Sequence, residues 1–206
     1  MRRQKRKLTI APGNTVYVGL GVVAPTESNR WIRSGTSILA FCLGSAFFAR
    51  YHRYFGGRKR WVIVSSYFIQ LLLIVIAALM VTLGPETGTS GPVTVWIAMP
   101  IALIAFQSGG QAVVSRVLQF GALTSVVLTS IYCDLFSDAQ LFAGIAENAE
   151  RNRRMAAPLL LLIGAMMGGV WAHSEIGLAG ALWTAVLLKS LIIVTWCFWA
   201  EEPSDD

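Results

Sequence analysis

Residues 61–83, WVIVSSYFIQLLLIVIAALMVTL, decide the fold class because they run for 23 positions without a charged side chain. A helix of about 20 apolar residues is long enough to cross the hydrocarbon core of a bilayer, which is roughly 30 Å thick. Within that core every peptide group must be hydrogen-bonded inside the protein, which favours a helix. The weak alternation typical of a membrane β-barrel strand is missing from these residues. Residues 61–83 therefore predict a transmembrane α-helix.

The composition of the whole chain agrees with this prediction. The 206 residues are 55% hydrophobic and 14% charged, and their mean hydropathy is +0.60. Soluble domains carry about 25% charged residues, so this composition excludes intrinsic disorder and disfavours a water-soluble globule. The three cysteines, Cys42, Cys133 and Cys197, lie in apolar stretches without a C-x-x-C pair, which disfavours a disulfide framework or a zinc site.

Six further apolar segments accompany residues 61–83, and two of the seven are short or interrupted. They cover residues 8–23, 34–49, 93–115, 117–133, 156–172 and 176–200. A turn-rich loop occupies residues 84–92, and a polar connector occupies residues 137–154. We therefore predict an all-α polytopic bundle of about seven segments. It forms one membrane domain over residues 1–206, with a basic tail at 1–7 and an acidic tail at 201–206.

The distribution of Lys and Arg predicts the orientation of the chain. With the N-terminus in the cytoplasm, residues 1–7 and the basic segment 50–60 each place five Lys or Arg residues inside, and Arg116 adds one. The outer side then holds five arginines, namely Arg30, Arg33, Arg151, Arg153 and Arg154. Cytoplasmic loops carry an excess of Lys and Arg, so the distribution favours this orientation. Seven crossings place the acidic tail on the non-cytoplasmic side, and the pattern does not indicate which cellular membrane is used.

The chain contains a candidate internal duplication. A shift of 124 positions aligns four pairs of residues: Ala40 with Gly164, Gly44 with Gly168, Phe47 with Trp171, and Arg30 with Arg154. Both helices thereby carry a small-x-x-x-small pair, a spacing that lets helix backbones approach closely in lipid. The two halves would cover residues 8–83 and 93–200, and in the predicted topology equivalent spans run in the same direction. Parallel repeats of this kind occur in secondary transporters, whereas coincidence among common small residues is the alternative.

Several short motifs resemble a known family. They are GNTV at residues 13–16, QSGGQ at 107–111, and LTSVVLT at 123–129 ahead of Asp134 and Leu135. The chain resembles the YoaK-like family of multi-pass membrane proteins, which is domain of unknown function 1275. The resemblance implies a membrane protein with a transporter-like architecture and no established substrate. It also implies that the family's first span is missing here, and that Pro12 stands where the family has Thr.

Lys189 is the most informative single residue because it lies near the middle of segment 176–200. A lysine at the centre of a membrane helix costs about 2.5–3.5 kcal/mol on insertion scales, so such residues usually face the bundle interior. One interpretation is a charge that holds an anionic group or a carboxylate, with Asp134 as the nearest counter-ion. The alternative is a lysine that extends to a lipid headgroup or binds backbone carbonyls, with Asp134 as a solvated helix-end residue.

Other polar side chains interrupt the apolar segments and could line a solute path. They are Asn14, Thr15, Gln107, Gln111, Thr124, Ser125 and Thr129. Breaks in the helices at Gly13 and at Gly109 and Gly110 would free backbone groups to bind a solute. The alternative is that these side chains hydrogen-bond to their own helix or to a neighbouring one.

These patterns lead to two functional hypotheses. The first is a small-solute permease with a polar path between two repeats, and the second is a non-transporting membrane scaffold or assembly partner. We expect no enzyme activity, cofactor or metal, because neither His52 nor His173 has a ligand partner in sequence and no nucleotide-binding motif occurs. The net charge of +6 lies in short loops, so the expected partners are the lipid bilayer and an unknown small solute rather than nucleic acid. An oligomer is compatible with this pattern.

Overall fold

A computed structural model of the chain describes residues 13–25, 29–85, 93–120, 128–142, 144 and 146–198. These residues form seven α-helices and no β-strand. The helices are α1 (Asn14–Val23), α2 (Arg30–Phe55), α3 (Arg60–Leu83), α4 (Val95–Val117), α5 (Leu128–Phe136), α6 (Ala149–Ala172) and α7 (Gly177–Phe198). The prediction of an all-α helical bundle is confirmed.

Five of these helices are long and apolar enough to cross a membrane: α2, α3, α4, α6 and α7. They contain 22 to 26 residues, and at 1.5 Å per residue each exceeds the hydrocarbon thickness. The remaining two are shorter, since α1 has 10 residues and α5 has 9. The number of helices therefore matches the prediction, but five rather than seven have the length of a span within the described residues.

Helix α2 extends beyond the predicted segment 34–49 at both ends. It begins at Arg30 and ends at Phe55, because arginine and aromatic residues continue a helix while their polar ends reach toward the membrane surface. Gly56 ends it with φ of +89°, a conformation that residues with a Cβ rarely adopt. Helix α3 begins four residues later at Arg60, so α2 and α3 form an antiparallel pair.

Helices α3 and α7 run in opposite directions. At one end, Arg60 Nε of α3 donates to the carbonyl oxygen of Trp196 on α7 at 3.0 Å, and Arg60 Nη2 contacts the Cys197 carbonyl oxygen. At the other end, Trp183 Nε1 donates to Thr82 Oγ1 at 3.1 Å. In the predicted parallel halves the last spans, now α3 and α7, would run in the same direction, so these contacts disagree with a parallel arrangement.

Further contacts collect at the end of the bundle marked by Arg60, which we call the Arg60 end. A Cβ atom on Gly57 would lie 3.1 Å from Val117 Cγ1, at the end of α4. The Arg153 guanidinium of α6 lies 5.2 Å from the ring of Phe120, just beyond α4. Helix α4 thus ends, and α6 begins, at the same end of the bundle. This shared end disagrees with the predicted single crossing over residues 117–133, of which 121–127 lie outside the described residues. The end of α7 lies beside Arg60 and so on the same side as segment 50–60, not opposite it as predicted.

The QSGGQ motif does not break α4. The helix is continuous from Val95 to Val117, and its two glycines lie against α2. A Cβ on Gly109 would lie 2.6 Å from the Phe41 carbonyl oxygen, and one on Gly110 would lie 2.6 Å from Phe48 Cδ2. In hydrocarbon a broken helix would leave peptide groups unpaired, so these glycines allow close backbone contact instead of a break.

The two small-x-x-x-small pairs have different environments. On α2, Ala40 is buried, and a Cβ on Gly44 would overlap the Phe106 carbonyl of α4. On α6, a Cβ on Gly164 or Gly168 would meet nothing within 4 Å among the described residues. The first pair therefore packs a helix interface inside the chain, and the second lies on an open face of α6.

Candidate functional site

Lys189 lies at the centre of a cage of three glutamine side chains. Its Nζ atom donates hydrogen bonds to Gln70 Oε1 at 2.7 Å, to Gln107 Oε1 at 3.2 Å and to Gln111 Oε1 at 3.0 Å. The lysine is 4% exposed. An ammonium group has three N–H donors, and each of them therefore has an acceptor. We call these four residues the Lys189 cage.

Two serines and a tyrosine support the cage. Gln70 Nε2 donates to Ser66 Oγ at 3.3 Å, one turn earlier on α3. Gln107 Nε2 donates to Ser108 Oγ at 3.1 Å. These bonds hold the amide groups with their oxygens toward Lys189. The Tyr67 ring lies 5.3 Å from Nζ, within the range of a cation–π interaction.

The cage lies at the middle depth of the bundle. Lys189 and Gln70 occupy central positions in α7 and α3, between the Arg60 contact at one end and the Trp183 contact at the other. Neither sequence-based interpretation of Lys189 anticipated this arrangement. The amine neither reaches a headgroup nor binds backbone carbonyls, because three side-chain amide oxygens surround it.

The ammonium charge has no acidic counterpart on the helices that form the cage. Helices α3, α4 and α7 contain no Asp or Glu. Arg154 forms ion pairs elsewhere, with Asp138 at 3.8 Å and with Glu150 at 2.5 Å. The possible counter-ion Asp134 lies on α5, and among the described residues the Lys189 amine instead contacts the three glutamines. A charge in the membrane interior is costly without a partner, and neutral amide oxygens compensate it only in part.

The other predicted path residues lie elsewhere or cannot be placed. Asn14 Nδ2 donates to Ser37 Oγ of α2 at 3.5 Å, and Thr15 lies beside it on α1. Thr129 lies on α5, while Thr124 and Ser125 fall outside the described residues. The structure therefore brings together three predicted residues: Gln107, Gln111 and Lys189.

The family model of proteins of unknown function, DUF1275, matches residues 6–195 of the chain. The chain belongs to the DUF1275 family. The matched region contains all four residues of the Lys189 cage. No curated protein matches the chain, and no solved structure matches it.

Sequence reasoning missed Gln70, the fourth member of the cage in this DUF1275 protein. It is the only amide side chain in residues 61–83, and it is fully buried. A polar group buried in an apolar environment is costly without a hydrogen-bond partner. The criterion that singled out Gln107 and Gln111, a polar side chain within an apolar segment, would therefore have found Gln70 if it had been applied to residues 61–83.

The members of the cage in this DUF1275 protein differ in their exposure. Gln70 and Gln107 are buried, at 0% and 7% exposure, and both have serine partners. Gln111 is exposed, and its Nε2 atom takes no part in holding the lysine. A molecule approaching Lys189 would therefore meet Gln111 first.

A separate polar cluster orders the connector between α5 and α6. The buried Arg151 side chain donates to the carbonyl oxygens of Leu141 at 2.9 Å and Gly144 at 3.2 Å. Asn148 caps α6 by accepting from Arg151 N at 2.9 Å and donates to Asp138 Oδ2 at 3.2 Å. The hydrogen bond from the Gln140 backbone lowers the pKa of Asp138, with smaller contributions from Asn148 and nearby arginines. This cluster is a structural element outside the spans.

Proposed function

We propose that this protein is a small-solute permease whose central binding site is the Lys189 cage. The observation that carries the proposal is the buried ammonium held at 2.7 to 3.2 Å by three glutamine oxygens at the middle depth of the bundle. Ionisable side chains within membrane spans are expensive and commonly mark solute or ion pathways.

The arrangement of the two halves supports this proposal. Gln70 belongs to the half that covers residues 8–83, and its cage partners belong to the half that covers residues 93–200. Helices α3 and α7 run in opposite directions, with contacts at both their ends. In transporters built from inverted repeats, the substrate site lies near the bilayer midplane at the interface between the repeats. The Lys189 cage has that location.

Opening the cage needs only a small relative movement of helices. Its acceptors come from α3 and α4, whereas the donor comes from α7. A displacement of α3 against α4 would lengthen some of the three hydrogen bonds and keep the others. Each such bond contributes only about 1.5–3 kcal/mol when one partner is charged, so the exchange of one acceptor for a solute group is energetically accessible.

The orientation in the membrane is also a proposal. Nine basic residues lie at the Arg60 end: Arg50, Arg53, Arg58, Lys59, Arg60, Arg116, Arg151, Arg153 and Arg154. Arg30 and Arg33 lie at the opposite end, where α2 begins. The positive-inside rule then favours a cytoplasmic Arg60 end. This distribution is more asymmetric than the one derived for seven crossings, because the three arginines of α6 change sides.

Uptake into proteoliposomes tests the permease. We expect wild-type vesicles to accumulate at least one member of a broad panel of labelled anionic, neutral and cationic solutes above protein-free vesicles. Lys189→Met should abolish that uptake, and Asn14→Ala should leave it unchanged because Asn14 lies outside the cage. Equal uptake in wild-type and protein-free vesicles across the whole panel would contradict the proposal.

A second candidate function, assembly with another membrane helix, is favoured by the open face of α6. A Cβ added to Gly164 or Gly168 would have no neighbour within 4 Å in the described part of the chain. Small residues at this spacing commonly mediate helix association in lipid. If assembly is the function, Gly168→Leu should reduce the particle mass measured by light scattering in mild detergent, and Lys189→Met should not.

A further inference from the structure

We infer that the Lys189 cage binds a small monocarboxylate anion, and that Gln111 is the acceptor that the anion displaces. This inference rests on the proposed function, since it names the substrate class of the same site. It is carried by three observations: the unbalanced charge of the cage, the exposure of one of its members, and the chemical likeness of a carboxamide to a carboxylate.

The uncompensated charge of Lys189 favours an anion as the ligand. Lys189 is held by neutral amide oxygens, and the three helices that supply the cage contain no acidic residue. A cation would be repelled by the ammonium, and a neutral solute would leave its charge uncompensated in a medium of low dielectric constant. An anion with a single charge would neutralise the site.

The exposure of Gln111 identifies it as the acceptor that the anion displaces from Lys189. Gln70 and Gln107 are buried and are held by Ser66 and Ser108. Gln111 is exposed, and its oxygen lies 3.0 Å from Nζ. Turning this side chain outward frees one N–H of the lysine and leaves the other two hydrogen bonds in place.

The chemistry of the displaced Gln111 side chain indicates the chemical class of the ligand. The glutamine side chain ends in a carboxamide, and a carboxylate has the same planar shape with a negative charge. A carboxylate oxygen can therefore take the place of Gln111 Oε1 beside Lys189, with a shorter and stronger charge-assisted hydrogen bond.

Acetate and its neutral isostere acetamide test this inference without a transport assay. We would measure thermal unfolding of the full chain in detergent with sodium acetate, acetamide, sodium chloride or sodium nitrate at constant ionic strength. Acetate at ten times its Kd should raise Tm by about 3–6 °C, and acetamide should not. Equal shifts with acetate and acetamide would overturn the inference, as would larger shifts with chloride and nitrate than with acetate.

Two substitutions at Gln111 separate displacement from a structural role. Gln111→Ala removes the competing acceptor, so the Kd for acetate should fall by about tenfold. Gln111→Glu places a carboxylate inside the cage, so Tm without acetate should rise and the response to acetate should disappear. Gln140→Ala, an exposed amide in the connector, is the matched control and should behave as the wild type. Weaker acetate binding by Gln111→Ala, or an unchanged acetate response in Gln111→Glu, would overturn the inference.

The binding and uptake experiments test the two proposals separately. Acetate binding without uptake of any solute would support the inference about the ligand and contradict the permease. Uptake of neutral or cationic solutes by a protein that shows no acetate response would support the permease and overturn the inference.

Discussion

The Oε1 atom of Gln70 lies 2.7 Å from the Nζ atom of Lys189, and this hydrogen bond joins α3 to α7 across 119 positions of sequence. Both residues are buried, at 0% and 4% exposure. Each side chain would be costly in the membrane interior by itself, and together they satisfy one another. The pair is therefore a point where stability and the proposed binding chemistry depend on the same contact.

We predict that Gln70→Leu destabilises the protein by about 2–3 kcal/mol, because it leaves a buried charged donor without one acceptor. The measurement is the midpoint of unfolding in detergent, followed by circular dichroism. The double variant Gln70→Leu/Lys189→Leu should be more stable than Gln70→Leu alone, since replacing both partners by apolar groups removes the unsatisfied charge. A double variant that shows the sum of the two single losses would show that this bond is not energetically important.

The glycines of the two aligned pairs should differ in their tolerance of a side chain. Gly44→Ala should destabilise the protein by about 1–3 kcal/mol, because the added Cβ would overlap the Phe106 backbone, which cannot rotate away. Gly164→Ala should be neutral or slightly stabilising, because space is open there and alanine favours a helix over glycine by about 1 kcal/mol. Thermal unfolding of both variants in the same detergent measures the difference. Equal losses at the two positions would contradict the packing of α2 on α4.

The side of the membrane on which each connection lies can be tested by thiol labelling. In a background with Cys42, Cys133 and Cys197 replaced by serine, single cysteines would be introduced as Arg58→Cys, Glu147→Cys and Glu175→Cys. A membrane-impermeant maleimide should label the first two from the same side and the third from the opposite side. This follows because α4 ends and α6 begins at the Arg60 end. Seven crossings would place position 147 opposite position 58, so that labelling pattern would refute the arrangement.

Acidification should loosen the connector between α5 and α6. The pKa of Asp138 is lowered, chiefly by the hydrogen bond from the Gln140 backbone. A carboxyl group with a depressed folded-state pKa stabilises the fold above its unfolded value of about 3.9, and this stabilisation is lost as the pH falls through the folded-state pKa. Hydrogen exchange of residues 138–152 should therefore accelerate between about pH 5 and pH 2, relative to the intrinsic rate. Asp138→Asn should lose much of that dependence, and an unaltered profile would assign it to other groups.

The long apolar runs determined the fold class and most of the helices without tertiary information. Residues 61–83 became α3 with a boundary shift of one residue, because backbone hydrogen bonding in hydrocarbon permits a helix whatever its neighbours are. Lys189, Gln107 and Gln111 also stood out, since polar groups within such runs need partners. Gln70 was missed because residues 61–83 were treated as one apolar run, in which a single isolated amide hardly changes the hydropathy.

Helix direction and contact were decided only by the tertiary structure. Whether residues 117–133 cross the membrane depends on where α4 ends and α6 begins, and that relationship is absent from local hydropathy. The same holds for Gly109 and Gly110, whose spacing is compatible with both a helix break and a close contact. The Phe41 carbonyl, only 2.6 Å from a Cβ position on Gly109, shows that they form a contact. The apolar residues of each segment are those that face lipid or pack in the bundle, so the sequence alone determined the segments. The Lys189 cage, in contrast, forms from side chains on three helices that meet only after packing.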